Sequence, residues 1–195
     1  MKTRSKITTP CLVALMVFAV SQARASAAAP ERATSDSSTT HINVKSQKSF
    51  DQISAAIEKQ LGKYDGAAVA QAFAAKLPPA DIEAKIHSME GSSGFMLFTV
   101  RDHGQLLALK GKQSFARQYE IGNPLYAVQM TQEDVRAAEY APLRALIYVG
   151  EDKLTHIDYD LPSTVFGRLG NAQVDKVAHS LDEKLAALVA NALNN

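Results

Sequence analysis

The chain has 195 residues, 46% of them hydrophobic and 21% charged, with a formal net charge of +1 and no tryptophan. Those values place it among ordinary globular domains and outside the disordered, collagenous and membrane classes. They allow one domain whose core is aliphatic, with a few Phe and Tyr.

The first residues read as a secretory signal rather than as fold. Lys2, Arg4 and Lys6 make a basic start. Cys11 to Val20 is apolar but shorter than the roughly 20 residues that span a bilayer. Ala23-Arg24-Ala25 is a small-x-small cleavage pattern, and Ala25-Ser26-Ala27 is a second. The expected product is a periplasmic or secreted chain, cut near Ala25 or Ala27, with no transmembrane segment after cleavage. Residues 1–25 hold four basic residues and no acid, so cleavage takes the formal charge from +1 to −3. No basic run remains, which argues against a nucleic-acid partner. Cys11 is the only cysteine. It precedes most of the apolar run, so it is no lipoprotein anchor, and the mature part has no thiol for disulfides or zinc.

Residues 26–40 are rich in Ala, Ser and Thr and read as a flexible leader. A single domain over 41–195 follows. His41 to Ser46 alternates like a strand. Ser49-Phe-Asp-Gln52 is a capping box, and Phe50, Ile53, Ile57 and Leu61 share one helical face. Gly62 weakens that helix and Tyr64-Asp-Gly66 ends it. Residues 67–90 read as a helical hairpin broken at Pro78-Pro79. Phe95 to Val100 is a continuous apolar run, expected as an interior strand. Gln105 to Leu109 fits a further strand or a linker equally well.

Arg117 to Ile121 alternates into the turn Gly122-Asn-Pro124. Leu125 to Met130 is expected extended, and Thr131 is expected to cap a short helix stopped by Pro142. Leu143 to Val149 is apolar on both faces, as a central strand would be. Gly150 to Lys153 is a hairpin turn, and Leu154 to Leu161 returns with His156, Asp158 and Asp160 on one face. Asn171 can cap the last helix, whose stripe runs from Val174 to Ala192. Strands with short connections and helices bunched at both ends predict an α+β fold. The expected sheet is antiparallel, of about 4–6 strands, with helices on one face, a long C-terminal helix included.

Several short stretches resemble one known family. They are Gly94-Phe-x-Leu-Phe98 with Asp102-His103-Gly104, Ile121-Gly-Asn-Pro124, Tyr140-Ala-Pro142, Tyr159-Asp-x-Pro-Ser163 and Phe166-Gly167. In order and spacing they are similar to the family catalogued as domain of unknown function 302, over roughly His41 to Leu193. The resemblance implies a compact α+β fold with a long C-terminal helix on an antiparallel sheet. Residues 67–90 then look like an enlarged connection between the first helix and the next strand. The family carries no established reaction, so the resemblance implies fold and not chemistry.

Arg101, Asp102 and His103 end an apolar strand, where loops on a rigid scaffold can build a site. His103 would be the general base with Asp102 orienting it. The plainer alternative is a turn in which Asp102 bonds backbone. His156 and Asp158 are candidate metal ligands, but a solvated sheet face alternates in the same way. Asn123, Arg144, Tyr159 and Asp160 are candidate ligand-binding residues. Asn123 would close its turn, and Arg144 would hold Asp160 or a ligand carboxylate. Phosphate loops, nucleophile elbows and dinucleotide fingerprints are absent from the sequence.

With few convergent ionisable residues, the leading expectation is a non-catalytic module. It would need no cofactor and would bind a small molecule or a partner protein, a second copy included. The alternatives are proton transfer at His103 and a structural or stress-related envelope protein.

Overall fold

The computed structural model describes residues 31–194. The expected signal peptide and residues 26–30 of the expected leader lie outside them. Residues up to Ser35 group apart from the rest, and the described ones carry no helix or strand.

The strands are β1 (His41–Ser46), β2 (Gly62–Lys63), β3 (Met96–Asp102), β4 (Ala116–Gly122), β5 (Leu143–Val149) and β6 (Thr155–Asp160). The helices are α1 (Phe50–Glu58), α2 (Gly66–Ala74), α3 (Pro79–His87), α4 (His103–Leu107), α5 (Pro124–Thr131), α6 (Pro162–Phe166) and α7 (Ala172–Asn194). The fold is α+β. One six-stranded sheet has the order β1-β6-β5-β4-β3-β2, antiparallel except for the parallel pair β2–β3.

One face of the sheet carries the core. Tyr119, Ile121, Ala145, Ile147, Ile157 and Tyr159 alternate along their strands onto it and meet the buried stripes of α1 and α7. That alternation is the period-2 geometry of a pleated strand. α7 presents Val174, Ala178, Leu181, Leu185, Leu188, Val189 and Ala192. Its N-terminus is capped by Asn171, whose Oδ1 accepts from the N–H groups of Gln173 and Val174 at 2.9 and 3.3 Å. The Ser49 capping box forms in both directions at α1, at 3.2 and 2.9 Å.

Met96 lies between Phe95 and Leu97 in sequence, so it points the other way. It is buried in a second cluster with Val69, Ala72, Ile82 and Ile86 of the α2–α3 hairpin. The hairpin is therefore not an appendage, because it covers a core residue of β3.

Three expectations fail locally. Leu125 to Met130 is helical, not extended. Asn123 is the N-cap of α5 and Pro124 its first residue, a pairing that favours a helix start because proline there loses no needed N–H. Thr131 consequently ends a helix rather than starting one. Asp134 instead caps the 3₁₀ turn Val135–Tyr140, its Oδ1 accepting the Arg136 N–H at 3.0 Å. Gly62, expected inside a helix, opens the short strand β2. Gln105 to Leu109, undecided in the sequence, belongs to α4 and a 3₁₀ turn.

Candidate functional site

Separate segments of the chain converge on one apolar cavity of about 270 Å³. β3 and its approach supply Phe95 and Phe98. The Gly122-Asn-Pro124 turn and α5 supply Asn123, Tyr126 and Met130. Pro142 comes from the start of β5, and Phe166 and Leu181 come from α6 and α7. The rings pack edge to face, Phe95 with Tyr126 at 6.3 Å and Tyr140 with Phe166 at 5.9 Å. Such edge contacts hold a wall in one geometry better than aliphatic packing does. Apart from the tyrosines Tyr64 and Tyr126, no ionisable side chain among the described residues lines the cavity.

Asn123 fixes the polar corner. It is buried, 5% exposed. Its Oδ1 accepts the Leu125 N–H at 2.9 Å, and its Nδ2 donates to Glu90 Oε1 at 2.7 Å and to the Gly94 carbonyl at 3.0 Å. It thus ties α5 to the loop after α3. Gly94 holds a left-handed conformation with φ of +75°, and a Cβ there would lie 3.1 Å from Tyr126 Oη and 3.7 Å from Lys184 Nζ. Lys184 lies 5.4 Å from the centroid of the Tyr126 ring, a cation–π contact at the cavity rim.

The open face of the sheet carries a separate polar network across β1 and β6. His41 reaches Asp160 through Nδ1 at 2.9 Å and Asp158 through Nε2 at 3.3 Å. Asn43 Nδ2 donates to His156 Nδ1 at 3.0 Å and also to Asp158. Because Nδ1 accepts, His156 donates through Nε2 to Asp152 at 2.9 Å. The buried His156 ring is stacked 4.8 Å from Tyr148. The bond from His156, and then that from Lys45, holds the Asp152 carboxyl well below the usual carboxylate range. Among the described residues, no three His, Cys, Asp or Glu side chains gather so as to hold a metal ion. His156 Nδ1 and Asp158 Oδ1 both accept from Asn43, which occupies the Nδ1 lone pair of the imidazole.

The Arg101-Asp102-His103 cluster is arranged differently from the acid–base pair the sequence suggested. Asp102 caps α4, accepting the Gln105 N–H at 2.8 Å, and its other oxygen meets Arg117 Nε at 3.3 Å. The backbone bond from Gln105 is the main reason its carboxyl titrates below the usual range. His103 is exposed at the helix start, and Arg101 pairs with Glu120. None of the three lines the cavity.

The model of one family, Domain of unknown function DUF302, matches residues 71–192, well over half of the chain. The chain belongs to the DUF302 family. Its fold is similar to the crystal structure of an uncharacterized conserved DUF302 protein from Bacillus stearothermophilus. That likeness has a TM-score of 0.56 at 15% identity and covers 78% of this chain and 97% of the other. No curated protein matches.

In this DUF302 domain the stretches that carry the resemblance mostly meet in space. Phe95 and Phe98 of the first stretch, Gly122-Asn-Pro124, Ala141-Pro142 and Phe166 border the cavity. Asp102-His103-Gly104 does not. Of the other candidates, Tyr159 is buried on the core face, where burial and then the Asp182 carboxylate push its hydroxyl pKa up. Arg144 is exposed and faces Glu120 across the strand pair. Asp160 is held by His41 rather than by Arg144. Nothing in the sequence marks Phe98, Tyr64, Met130 or Lys184 as a site residue. Only the Asn-Pro helix start could have directed attention to that region.

The network on β1 has a pH signature. Hydrogen bonds to Asp160, and then to Asp158, raise the His41 pKa above its usual 6.5. A raised folded value means the stabilisation is complete below the unfolded pKa and is lost as pH rises through the folded one. Replacing His41 by Gln should therefore flatten the fall in stability from about pH 6 to about pH 8. The effect should be only a few tenths of a kcal/mol, since the ring is more than half exposed. Urea midpoints across that range measure it, and an unchanged slope would show that His41 does not clamp the edge strand.

Proposed function

We propose that this chain is an exported, non-catalytic module that holds a small, mainly apolar molecule in the cavity between β3, α5 and α7. The observation that carries this is the cavity itself, walled by Phe95, Phe98, Phe166 and Leu181 with Asn123 as its fixed polar corner. Concave, mostly apolar sites with a few placed polar groups are the common form of ligand pockets. A volume of about 270 Å³ suits a short alkyl chain or one or two rings. Lys184, over the ring of the lining Tyr126, favours a ligand with an anionic end. Export is supported by the basic start, short apolar run and Ala-x-Ala pattern at the N-terminus.

Native mass spectrometry of the protein recovered from the periplasm should show a small-molecule adduct. In ligand-observed NMR, octanoate should bind saturably and 1-octanol more weakly. Ala127→Phe, which fills the cavity from α5, should abolish both signals. If the wild type binds neither probe and carries no adduct, the cavity is not a ligand site.

A further inference from the structure

The excursion between β3 and β4 exposes apolar surface that the fold leaves uncovered. Nine large hydrophobic side chains are exposed among the described residues, and four fall within this excursion. They are Leu106 at 59%, Leu107 at 38%, Leu109 at 82% and Phe115 at 59%. Gln105 and Ala108, one helical turn apart, face a groove with Phe115. Leu106 and Leu109 share the adjoining face and are not among the groove's lining residues.

The excursion is braced at its base. A Cβ on Gly104 would fall 2.3 Å from the Ser114 carbonyl oxygen, so the outgoing and returning chains touch there. The apolar tip is thus presented by a closed structure.

Its charge is one-sided. From Gly104 to Ala116 the chain carries Lys110 and Lys112 and no acid. Arg117 and Lys153 border the groove. Of the nearby acids, Asp102 is engaged by Gln105 and Arg117 and Asp152 by Lys45 and His156, while Asp51 and Glu151 are exposed next in sequence to the groove residues Phe50 and Gly150.

We propose that this excursion docks on an anionic phospholipid surface. Leu106, Leu109 and Phe115 enter the boundary between headgroups and acyl chains, and Lys110 and Lys112 meet lipid phosphates. Apolar residues beside lysines, with no acid among them, are the complement of an anionic interface. A protein partner fits less well. A stable protein interface draws on about 20–30 residues per side, whereas Gly104 to Ala116 is thirteen residues and shallow insertion needs only apolar area and charge. Docking by so few residues is reversible.

Co-sedimentation with vesicles tests this, with wild type and variants prepared in one form so that any leader contributes equally. Vesicles of phosphatidylethanolamine with phosphatidylglycerol should capture the wild type, and phosphatidylcholine vesicles should capture it much less. Leu106→Asp with Leu109→Asp should lower partitioning at least tenfold. Lys110→Gln and Lys112→Gln should each lower it about fivefold on the anionic vesicles only, the equivalent of about 1 kcal/mol per lysine. Phe73→Asp, an exposed site on α2, should change nothing. The proposal is overturned if the double aspartate variant sediments like the wild type or if Phe73→Asp lowers binding as much. It is also overturned if the wild type ignores anionic vesicles, including a case where Leu109→Asp instead dissolves a dimer.

Discussion

Alanine at Gly62 or at Gly91 should destabilise the domain by about 3 kcal/mol or more, measured from urea unfolding midpoints at constant slope. The reason is backbone crowding where the hairpin rejoins the sheet. A Cβ on Gly62 would sit 1.7 Å from the Met89 carbonyl oxygen and 2.6 Å from the Gly91 nitrogen. A Cβ on Gly91 would sit 2.2 Å from the Gln60 carbonyl oxygen and 2.3 Å from the Gly62 nitrogen. The obstacles are main chain, so no rotamer change relieves them.

Both glycines donate their N–H to one acceptor, the Phe95 carbonyl, at 2.9 and 3.1 Å. Moving either strand apart breaks that junction and lifts α2–α3 from Met96. Gly167 provides the control. It lies in a right-handed helical conformation, and its added Cβ would meet only Asp175 Oδ1 at 3.8 Å. Gly167→Ala should be neutral or stabilising by up to about 1 kcal/mol. A loss below about 1 kcal/mol at both Gly62 and Gly91 would show that the junction yields, and with it the account of how the hairpin is fixed.

This junction also shows what the sequence could reveal. The stripe of α7, the Ser49 capping box and the apolar runs of β3 and β5 are local signals, each written in consecutive residues. They place the sheet and the long helix correctly. Gly62 looked like a helix weakener because its partner, Gly91, lies across the hairpin and no local pattern links them. Leu125 to Met130 looked extended because the turn signal of Gly122-Asn-Pro124 masked a helix start made by the same residues. Gln105 to Leu109 was undecidable because its leucines point to solvent, so no buried periodicity marks the element.

The cavity was legible only in pieces. Each of its motifs appeared in the sequence, but their meeting point depends on how β3, α5, α6 and α7 pack. The ionisable cluster at Arg101 to His103 attracted attention because its residues are adjacent in the chain. In space Asp102 caps α4 and meets Arg117, and Arg101 pairs with Glu120. Adjacency in sequence therefore pointed to a cap, and dispersed aromatic residues made the concave surface.

The second large effect should come from Asn123→Asp, at about 3 kcal/mol near neutral pH. Asp keeps the size of Asn and can still accept the Leu125 N–H, so the cap of α5 survives. What disappears is the pair of N–H donors to Glu90 and the Gly94 carbonyl. A buried carboxylate then faces another carboxylate and a carbonyl oxygen. Burial and the Glu90 charge should both raise the folded pKa of the new Asp above its unfolded value of about 3.9. The penalty is then fullest above the folded pKa and fades as pH falls towards the unfolded one. The gap in urea stability between wild type and variant should narrow from about pH 7 to about pH 5.

Glu90→Gln in the Asn123→Asp background should recover part of the loss, since glutamine can donate to the new carboxylate. Asn123→Ala should cost about 2 kcal/mol, with a weaker pH dependence, because it removes the cap and leaves Glu90 without adding charge. If Asn123→Asp were as stable as the wild type near pH 7, the amide would not be bridging α5 to the loop after α3. The cavity wall would then lack the anchor that gives it one shape, and octanoate binding should survive the substitution. Loss of stability and of octanoate binding together, both partly restored at lower pH, is the outcome that ties the fold of this corner to its proposed use.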